Sequence, residues 1–302
     1  MASKGEKISK SKGNSKVEPR ELVKTHSADS IRYWAGTGRL GNDIIFSEET
    51  LARGQKLINK LWNVAKFIEM HIHDYNENKE KFEEEVKEYN DLEYIDKWIL
   101  AKYEEMEKGY LKYLEEYEIG IALNHLEKFF WNFCDDYIEI VKHRLYRPEE
   151  FGERARYSGQ KTVYTLLFKL IQAFSIYLPY VTEEIYHEIY MNDMNIPSIH
   201  ITSIENLKIK DKNKETYLNI GNTIMEIISE LRGEKTNNNV SLKTPFSIVE
   251  IDVNSNILEG ITKAEKDFKA TVTIENLKLN DKQTSLENNF NILKSELIIE
   301  EK

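Results

Sequence analysis

Apolar side chains recur at the spacing of an α-helix along most of this sequence. A stripe between residues 121 and 146 steps by four, three, four and three, through Leu126, Phe130, Phe133, Tyr137 and Ile140. A second stripe occupies residues 51–73, at Ile58, Leu61, Trp62, Ala65, Ile68 and Ile72. Each stripe places its members on one face of a helix, so that face is predicted to be buried against other helices. A third helix at 161–178, interrupted at Pro179 and resumed beyond it, completes the pattern of an antiparallel helix bundle and a mainly α fold.

The regions on either side of the bundle differ from it. Pro19 is predicted to begin a short helix, and "NDIIF" at 42–46 to form a short strand. After residue 205 the sequence predicts a helix at 217–231, strands in "FSIVEIDV" and "ATVTIENL", and a last helix at 286–300. The predicted parts are a loop at 1–17, a short region at 18–48, a helical domain at 49–205 and a small α+β appendage at 206–302.

The distribution of charge matters more here than the total. The 302 residues carry a net charge of −10, which argues weakly against nonspecific nucleic-acid binding. Two basic islands nevertheless interrupt the acidic chain, at residues 1–24 and at 142–161. No apolar run is long enough to span a membrane, and the single cysteine, Cys134, excludes an internal disulfide and a multi-cysteine metal site. A reducing, cytoplasmic setting with no membrane partner is expected.

Three patterns that could indicate chemistry have simpler interpretations. The glycines of "GTGRLG" at 36–41 match a dinucleotide fingerprint, but they follow a predicted helix and precede a predicted strand, the reverse of the order that the motif needs. A helix end and a turn are expected there. His71 and His73, two residues apart on a helix, are interpreted as exposed side chains rather than metal ligands. Three neighbouring acids are expected on a solvated helix face rather than in an acid–base cluster: Asp135, Asp136 and Glu139.

The first basic island contains "GEKISKSKGN", residues 5–14, with lysines and serines alternating between glycines. Composition alone favours a charged leader, although lysines on such a loop can also follow phosphates that move during a reaction. The segment "KISKSKGN" resembles the KMSKS signature of class I aminoacyl-tRNA synthetases, with Ile8 in the usual methionine position. In that family the loop closes over ATP. The resemblance implies catalytic phosphate contacts from Lys7 and Lys10, and support of the loop from Ser9, Ser11 and Gly13.

The resemblance continues beyond this loop. Valyl-tRNA synthetases of the archaeal kind are similar to three segments, "DSIRYWAGTGRLGNDIIFSEE", "INKLWNVAKF" and "FFWNFCDDYIEIVKHRLY". A weaker similarity extends to "SELRGEKTNNNVSLKTP". The family's catalytic domain has a nucleotide-binding fold with a HIGH signature, and these 302 residues contain no His-x-Gly-His. The likeness therefore implies a C-terminal portion, from the signature loop through a stem-contact region at 18–48 to a helical anticodon-binding domain at 49–205. Alone, this portion is not expected to form valyl-adenylate.

The resemblance also implies partners and cofactors. The parent reaction is the ATP-dependent attachment of valine to its tRNA, with Mg²⁺ accompanying ATP, and no cofactor is expected to bind this portion tightly. The implied partners are valine-specific tRNA and a catalytic N-terminal half, in cis or in trans. Three alternatives stay open: a freestanding tRNA-binding module, a portion of an isoleucyl- or leucyl-type synthetase, and a helical interaction protein with no RNA role.

The helix at 51–73 supplies its own indication of RNA binding. On a helical wheel Phe67 lies opposite the apolar stripe, on a polar face with Lys56, Lys60 and Asn63. An outward aromatic ring among cations is suited to base stacking, while packing against another helix is the alternative. Family members have a basic–aromatic pair, usually Arg-Phe, where this chain has Lys66 and Phe67, and lysine lacks the bidentate geometry of arginine.

The second basic island gives further candidates for tRNA contact. Its cations could follow the phosphates of a tRNA stem, or they could form a solvated loop that balances nearby acids. The family context favours the tRNA interpretation. The five candidates among its six cations are Lys142, Arg144, Arg147, Arg154 and Arg156.

Overall fold

The computed structural model describes residues 19–283, 286 and 289–299. These residues form helices and one three-stranded sheet, which confirms the predicted fold class. The helices are α1 (Pro19–Thr25), α2 (Ala28–Gly36), α3 (Glu48–His71), α4 (Tyr75–Phe82), α5 (Tyr94–Glu115), α6 (Ile119–Asn132), α7 (Ile138–Tyr146), α8 (Pro148–Phe151), α9 (Glu153–Phe174), α10 (Pro179–Ile189), α11 (Met191–Met194), α12 (Lys214–Asn237), α13 (Ser255–Lys263) and α14 (Glu265–Val272). The strands are β1 (Phe246–Asn254), β2 (Ile274–Lys282) and β3 (Phe290–Leu297). A π-helical turn, Phe133–Tyr137, separates α6 from α7.

The chain forms two compact units, each assembled from three segments. The first unit contains the described part of Met1–His73 together with Glu104–Phe130 and Val163–Leu207. The second unit contains Asp74–Tyr103, Trp131–Thr162 and the described part of Lys208–Lys302. This grouping differs from the contiguous blocks at 49–205 and 206–302, and the division into those blocks stays a prediction.

Helix α3 confirms the helix predicted at 51–73. Its N-terminus is capped by Ser47, whose hydroxyl accepts a hydrogen bond from the Thr50 backbone N–H at 3.1 Å. The apolar stripe supplies buried side chains, among them Leu61, Ala65 and Ile68. Burial of this stripe leaves the opposite face of α3 to the polar residues.

Helix α2 is held in the first unit by one close approach and one cap. Gly54 of α3 allows the contact, because a Cβ at this position would lie 2.6 Å from the ring of Tyr33. The buried carboxylate of Asp29 accepts hydrogen bonds from the backbone N–H groups of Tyr180 and Val181, at 3.2 and 2.8 Å. These groups belong to the first turn of α10, where a carboxylate is favoured by the helix dipole.

Pro19 begins a helix and Pro179 interrupts a helical run, as predicted. Pro19 is the first residue of α1, and Pro179 is the first residue of α10. A proline at this position removes no helical hydrogen bond, because the first N–H groups of a helix have no intrahelical acceptor.

The second unit contains the sheet, in the order β2-β1-β3. Strand β1 pairs parallel with β2 and antiparallel with β3. One face of β1 is fully buried through Val249, Ile251 and Val253. The other face carries acids that pair with β2, where Lys278 lies 2.6 Å from Glu250. The connection from β1 to β2 runs through α13 and α14, as a parallel pair requires.

Three elements differ from the sequence-based expectation. Residues 290–297 form β3 rather than part of a helix, because they pair with β1. The segment 42–46 is not a strand: it folds back on α2, where the Trp34 indole N–H donates to the Ile45 carbonyl at 3.2 Å. In "ATVTIENL" the first three residues end α14, and β2 begins only at Ile274.

Candidate nucleic-acid interface

The polar face of α3 presents most of the residues predicted for it. Lys56 and Asn63 are exposed, while Lys60 and Phe67 are half-buried. The four positions are spaced by four, three and four residues, so they share one helix face. The structure therefore places the four predicted side chains where one ligand could contact all of them.

Lys66 is an ion-paired cation on the same helix. Its ammonium group bonds the carboxylate of Glu188 in α10, lies 3.1 Å from Glu69 and sits 5.0 Å from the centre of the Trp62 ring. The hydrogen bond from Lys66 to Glu188 raises the pKa of this ammonium group. A phosphate at Lys66 would have to replace a carboxylate that is already in place.

Phe67 contacts the next turn of its own helix. Its ring centre lies 4.6 Å from that of His71. His71 is buried, 6 % exposed, which corrects its interpretation as an exposed side chain: it lies next to Ile68 on the inward side of α3. His73, beyond the end of α3, is exposed as expected. Phe67 thus retains part of its ring surface, and its contact with a base stays a prediction.

Arg144 is a core residue, which corrects its assignment to tRNA contact. Its side chain is 1 % exposed. Two guanidinium nitrogens donate to the two carboxylate oxygens of Asp96, each at 2.8 Å, and Nε lies 2.9 Å from Oδ1 of Asp267. Asp96 also accepts hydrogen bonds from the hydroxyls of Tyr137 and Ser158. A guanidinium held in this way cannot reach a phosphate, and it instead joins α5, α7 and α14 within the second unit.

Arg156 is buried as well, 8 % exposed. Its guanidinium pairs with Asp74 and donates to the Leu145 carbonyl at 3.1 Å. Burial acts to raise the pKa of Asp74, but hydrogen bonds from Arg156 and Gln160 outweigh it and lower that pKa to about 2. Arg156 therefore stabilises the second unit rather than a bound phosphate.

The other cations of this island remain at the surface. Lys142 is half-buried and lies 2.6 Å from Glu139. Arg147 donates to Nδ1 of His143 at 2.9 Å and lies 2.9 Å from Glu150. Burial, followed by the charges of Arg147 and Lys142, lowers the pKa of His143 to about 4, so the ring is neutral at pH 7 and accepts this hydrogen bond. Lys142 and Arg147 stay predicted tRNA contacts.

The residues predicted to contact ATP, Lys7 and Lys10, and those predicted to support their loop lie outside the described residues. The loop-support residues are Ser9, Ser11 and Gly13. Their proposed roles rest on the sequence.

The described residues offer little support for other chemistries. The glycines at 36–41 end α2 and form a turn, with Gly41 at φ 81°, as expected. Among residues 19–283, 286 and 289–299, no group of three or more His, Cys, Asp or Glu side chains could hold a metal ion. Within the same residues, every helix is too short or too polar to cross a bilayer.

Sequence analysis missed a basic groove in the second unit. The groove, with a volume of about 870 Å³, is bordered by the cations Arg147, Lys243, Lys266 and Lys269. Lys266 and Lys269 are three residues apart on α14, so they lie on neighbouring positions of one face. That spacing was the available signal, but the sequence predicted no helix at α14.

Comparison with known proteins adds an independent line of evidence. Residues 96–251 match the family described as the anticodon-binding domain of tRNA ligase. Valine–tRNA ligase of Ehrlichia ruminantium (strain Gardel) is 34 % identical over 292 residues, which is 94 % of this chain and 33 % of that protein. Valine–tRNA ligase of Rickettsia prowazekii (strain Madrid E) is 33 % identical over 97 % of this chain and 35 % of its own length. The chain thus spans about a third of the length of the curated relatives it matches.

Proposed function

The chain belongs to the family of tRNA-ligase anticodon-binding domains, and from this membership we propose that it is the tRNA-binding portion of a valine–tRNA ligase. The observation that carries the proposal is the extent of the similarity, 34 % identity across 94 % of the chain. This span extends beyond residues 96–251 on both sides. It favours a portion of a valine ligase over a freestanding tRNA-binding module or an isoleucyl- or leucyl-type fragment.

The proposed tRNA contact in the first unit is the polar face of α3. Lys56 and Lys60 supply cations for backbone phosphates, Asn63 an amide for hydrogen bonding, and Phe67 a ring for stacking. Lys66 supplies a further cation if a phosphate displaces the carboxylate of Glu188 or Glu69 from it. Single-stranded bases, such as those of an anticodon loop, are the nucleotides that such a surface suits, because unstacked bases expose their π-faces.

The proposed parent reaction is the ATP-dependent attachment of valine to tRNA. Lys7 and Lys10 are proposed to contact ATP phosphates, with Mg²⁺ accompanying the nucleotide, and Ser9, Ser11 and Gly13 to support the loop. Cations placed where phosphate charge develops lower the barrier to phosphoryl chemistry. A catalytic half, joined or separate, is the proposed partner that holds the nucleotide.

The test is tRNA binding by the purified 302-residue chain, followed by fluorescence anisotropy with a labelled valine tRNA. Phe67→Ala is expected to weaken binding by ~1–3 kcal/mol, or about 5- to 150-fold, because one stacked base loses its platform. Tyr180→Ala is the matched control: it removes an aromatic ring that is 68 % exposed on α10 of the same unit. We expect this control to bind like the wild type.

Two results would contradict the proposal. Absence of salt-dependent tRNA binding by the wild-type chain would contradict it and favour a helical interaction protein with no RNA role. Equal losses in Phe67→Ala and Tyr180→Ala would show that the polar face of α3 is not the stacking surface, and the contact would have to be sought elsewhere.

A further inference from the structure

The basic groove has more positive than negative charge at its border. Its four cations, Arg147, Lys243, Lys266 and Lys269, face two carboxylates, those of Glu150 and Glu265. His143 also borders the groove but is neutral at pH 7 because its pKa is lowered to about 4. A local excess of positive charge in a chain of net charge −10 marks a place where an anion is favoured over the rest of the surface.

The cations of the groove are available to a ligand. Lys243 and Lys266 are exposed, and no ion pair joins either of them to another side chain in the part of the chain that the structure describes. Arg147 lies 2.9 Å from Glu150, and Lys269 lies 3.6 Å from Glu265, but both pairs are local in sequence and all four side chains stay partly exposed to solvent. Such pairs contribute little, so a phosphate can exchange with the carboxylate at low cost.

The walls of the groove are held in place by buried charges. Arg144 in α7 reaches Asp267 in α14, and this contact joins the helix that Arg147 directly follows to the helix that carries Lys266 and Lys269. On the other wall, the fully buried ammonium of Lys235 donates to the Leu242 carbonyl at 3.0 Å and to the Val272 carbonyl at 2.6 Å. Leu242 directly precedes Lys243. The three segments that supply the cations are therefore fixed before any ligand arrives.

We propose that the basic groove binds successive phosphates of the tRNA backbone, without reading the base sequence. The inference rests on the proposed function and extends it to Lys243, Lys266 and Lys269, three lysines of the 206–302 region. The cations come from the junction of α7 and α8, from the segment before β1 and from α14, which suits an extended polyanion better than a single anion. Lysine acts on phosphate as a point charge, so these contacts position the RNA rather than select its sequence.

The experiment compares two double variants of the full chain. Lys266→Gln/Lys269→Gln removes two charges from the groove. Lys278→Gln/Lys294→Gln removes two charges from the sheet, where these lysines are 61 % and 47 % exposed and pair with Glu250 and Glu296. Binding of valine tRNA and of an unrelated tRNA is measured over a range of KCl concentrations. Circular dichroism melting curves establish that both variants fold.

The groove variant is expected to bind both tRNAs more weakly, and by the same factor. The slope of log K against log salt should become shallower by about 1.4–1.8, since each phosphate contact contributes about 0.7–0.9. The sheet variant should keep the wild-type slope.

Other outcomes overturn the inference in distinguishable ways. If the wild type binds tRNA and both variants share its slope, the groove inference fails and the proposed function stands. If the wild type binds no tRNA, both fail. If the groove variant loses affinity for only one of the two tRNAs, the groove recognises bases instead. Saturable binding of inorganic pyrophosphate that the groove variant loses, with the tRNA slope unchanged, would identify a small-anion site.

Discussion

Arg144 shows what helical phase can reveal about a single residue. It follows Ile140 by four positions, and so continues the stripe through Phe133 and Tyr137 toward the core. Its membership of a basic island of six cations does not show this helical phase. A buried guanidinium needs carboxylate partners, and Asp96 and Asp267 supply them from distant parts of the sequence. Those partners could not be deduced from local pattern, because they depend on how α5, α7 and α14 pack.

We expect Arg144→Ala to destabilise the protein by about 3–5 kcal/mol, because it leaves the carboxylate of Asp96 buried without its cation. The measurement is urea unfolding followed by circular dichroism. Arg147→Ala, which removes a half-exposed arginine one turn away on the chain, should cost less than about 1 kcal/mol. Similar losses in the two variants would contradict the role of the buried cluster.

His143 should make stability depend on pH below neutrality. Burial, then Arg147 and Lys142, lower its pKa from 6.5 to about 4. Between these values the unfolded chain binds a proton that the folded protein does not, so the free energy of unfolding falls as the pH falls from about 6.5 to 4. We expect His143→Gln to reduce this fall by about 1–2 kcal/mol, allowing for solvent screening at a half-exposed ring.

The measurement is urea unfolding of wild type and variant at pH 7 and pH 4.5. His73→Gln, which alters an exposed histidine in the first unit, is the control and should follow the wild type. A His143→Gln profile that overlays the wild-type profile would refute the prediction.

At the scale of elements, α12 depends on one glycine. A Cβ on Gly221 would lie 2.1 Å from Cγ of Trp98, and Trp98 itself is fully buried in α5. The indole N–H of Trp98 donates to the side chain of Asn222 at 3.0 Å, which fixes the ring against α12. No shift of a flexible side-chain end can relieve this clash, because the contact is with the base of a large ring.

Gly221→Ala is therefore expected to destabilise the protein by about 1–3 kcal/mol through overpacking. Gly233→Ala in the same helix is the matched control, since no heavy atom lies within 4 Å of a Cβ added there. Alanine should stabilise this position by about 0.5–1 kcal/mol because glycine loses more backbone freedom in a helix. Thermal unfolding of the two variants should shift in opposite directions, and shifts of the same sign would contradict the packing argument.

The elements also show where sequence reasoning stops. The helix at 51–73 was predictable because its apolar stripe repeats over many turns, whereas β3 was not. In β3 only Phe290 is buried, and the strand exists because its backbone pairs with β1, a contact distant in sequence. The segment 42–46 has the composition of a strand, but Trp34 and Phe46 pack edge to face, with ring centres 5.7 Å apart, and the chain folds onto α2 instead.

At the scale of the whole molecule, total charge was a poor guide to the candidate site. The net charge of −10 argues against a nucleic-acid partner, while the family match and the local basic groove favour one. The polar face of α3 was predictable from one helix alone. The groove was not, because its cations come from three segments that only the folded second unit brings together.

Binding of tRNA should raise the stability of the whole chain by linkage. At a tRNA concentration of about 100 Kd, the free energy of unfolding should increase by about 2.7 kcal/mol, provided that tRNA binds only the folded state. Thermal unfolding followed by tryptophan fluorescence, with and without valine tRNA, measures this. Phe67→Ala should show a smaller shift at the same tRNA concentration. An unchanged melting temperature of the wild type at saturating tRNA would contradict linkage.

Lys235, the buried lysine behind the groove, can also report local opening of the protein through chemical labelling. Burial, with a contribution from Arg232, lowers the pKa of Lys235 to about 8, so much of this amine is in the nucleophilic, neutral form in mildly alkaline buffer. An acylating reagent can nevertheless reach it only when the surrounding structure opens. Mass spectrometry of acylation at Lys235, compared with exposed Lys278, would thus report how often this part of the second unit opens, and how far bound RNA suppresses that opening.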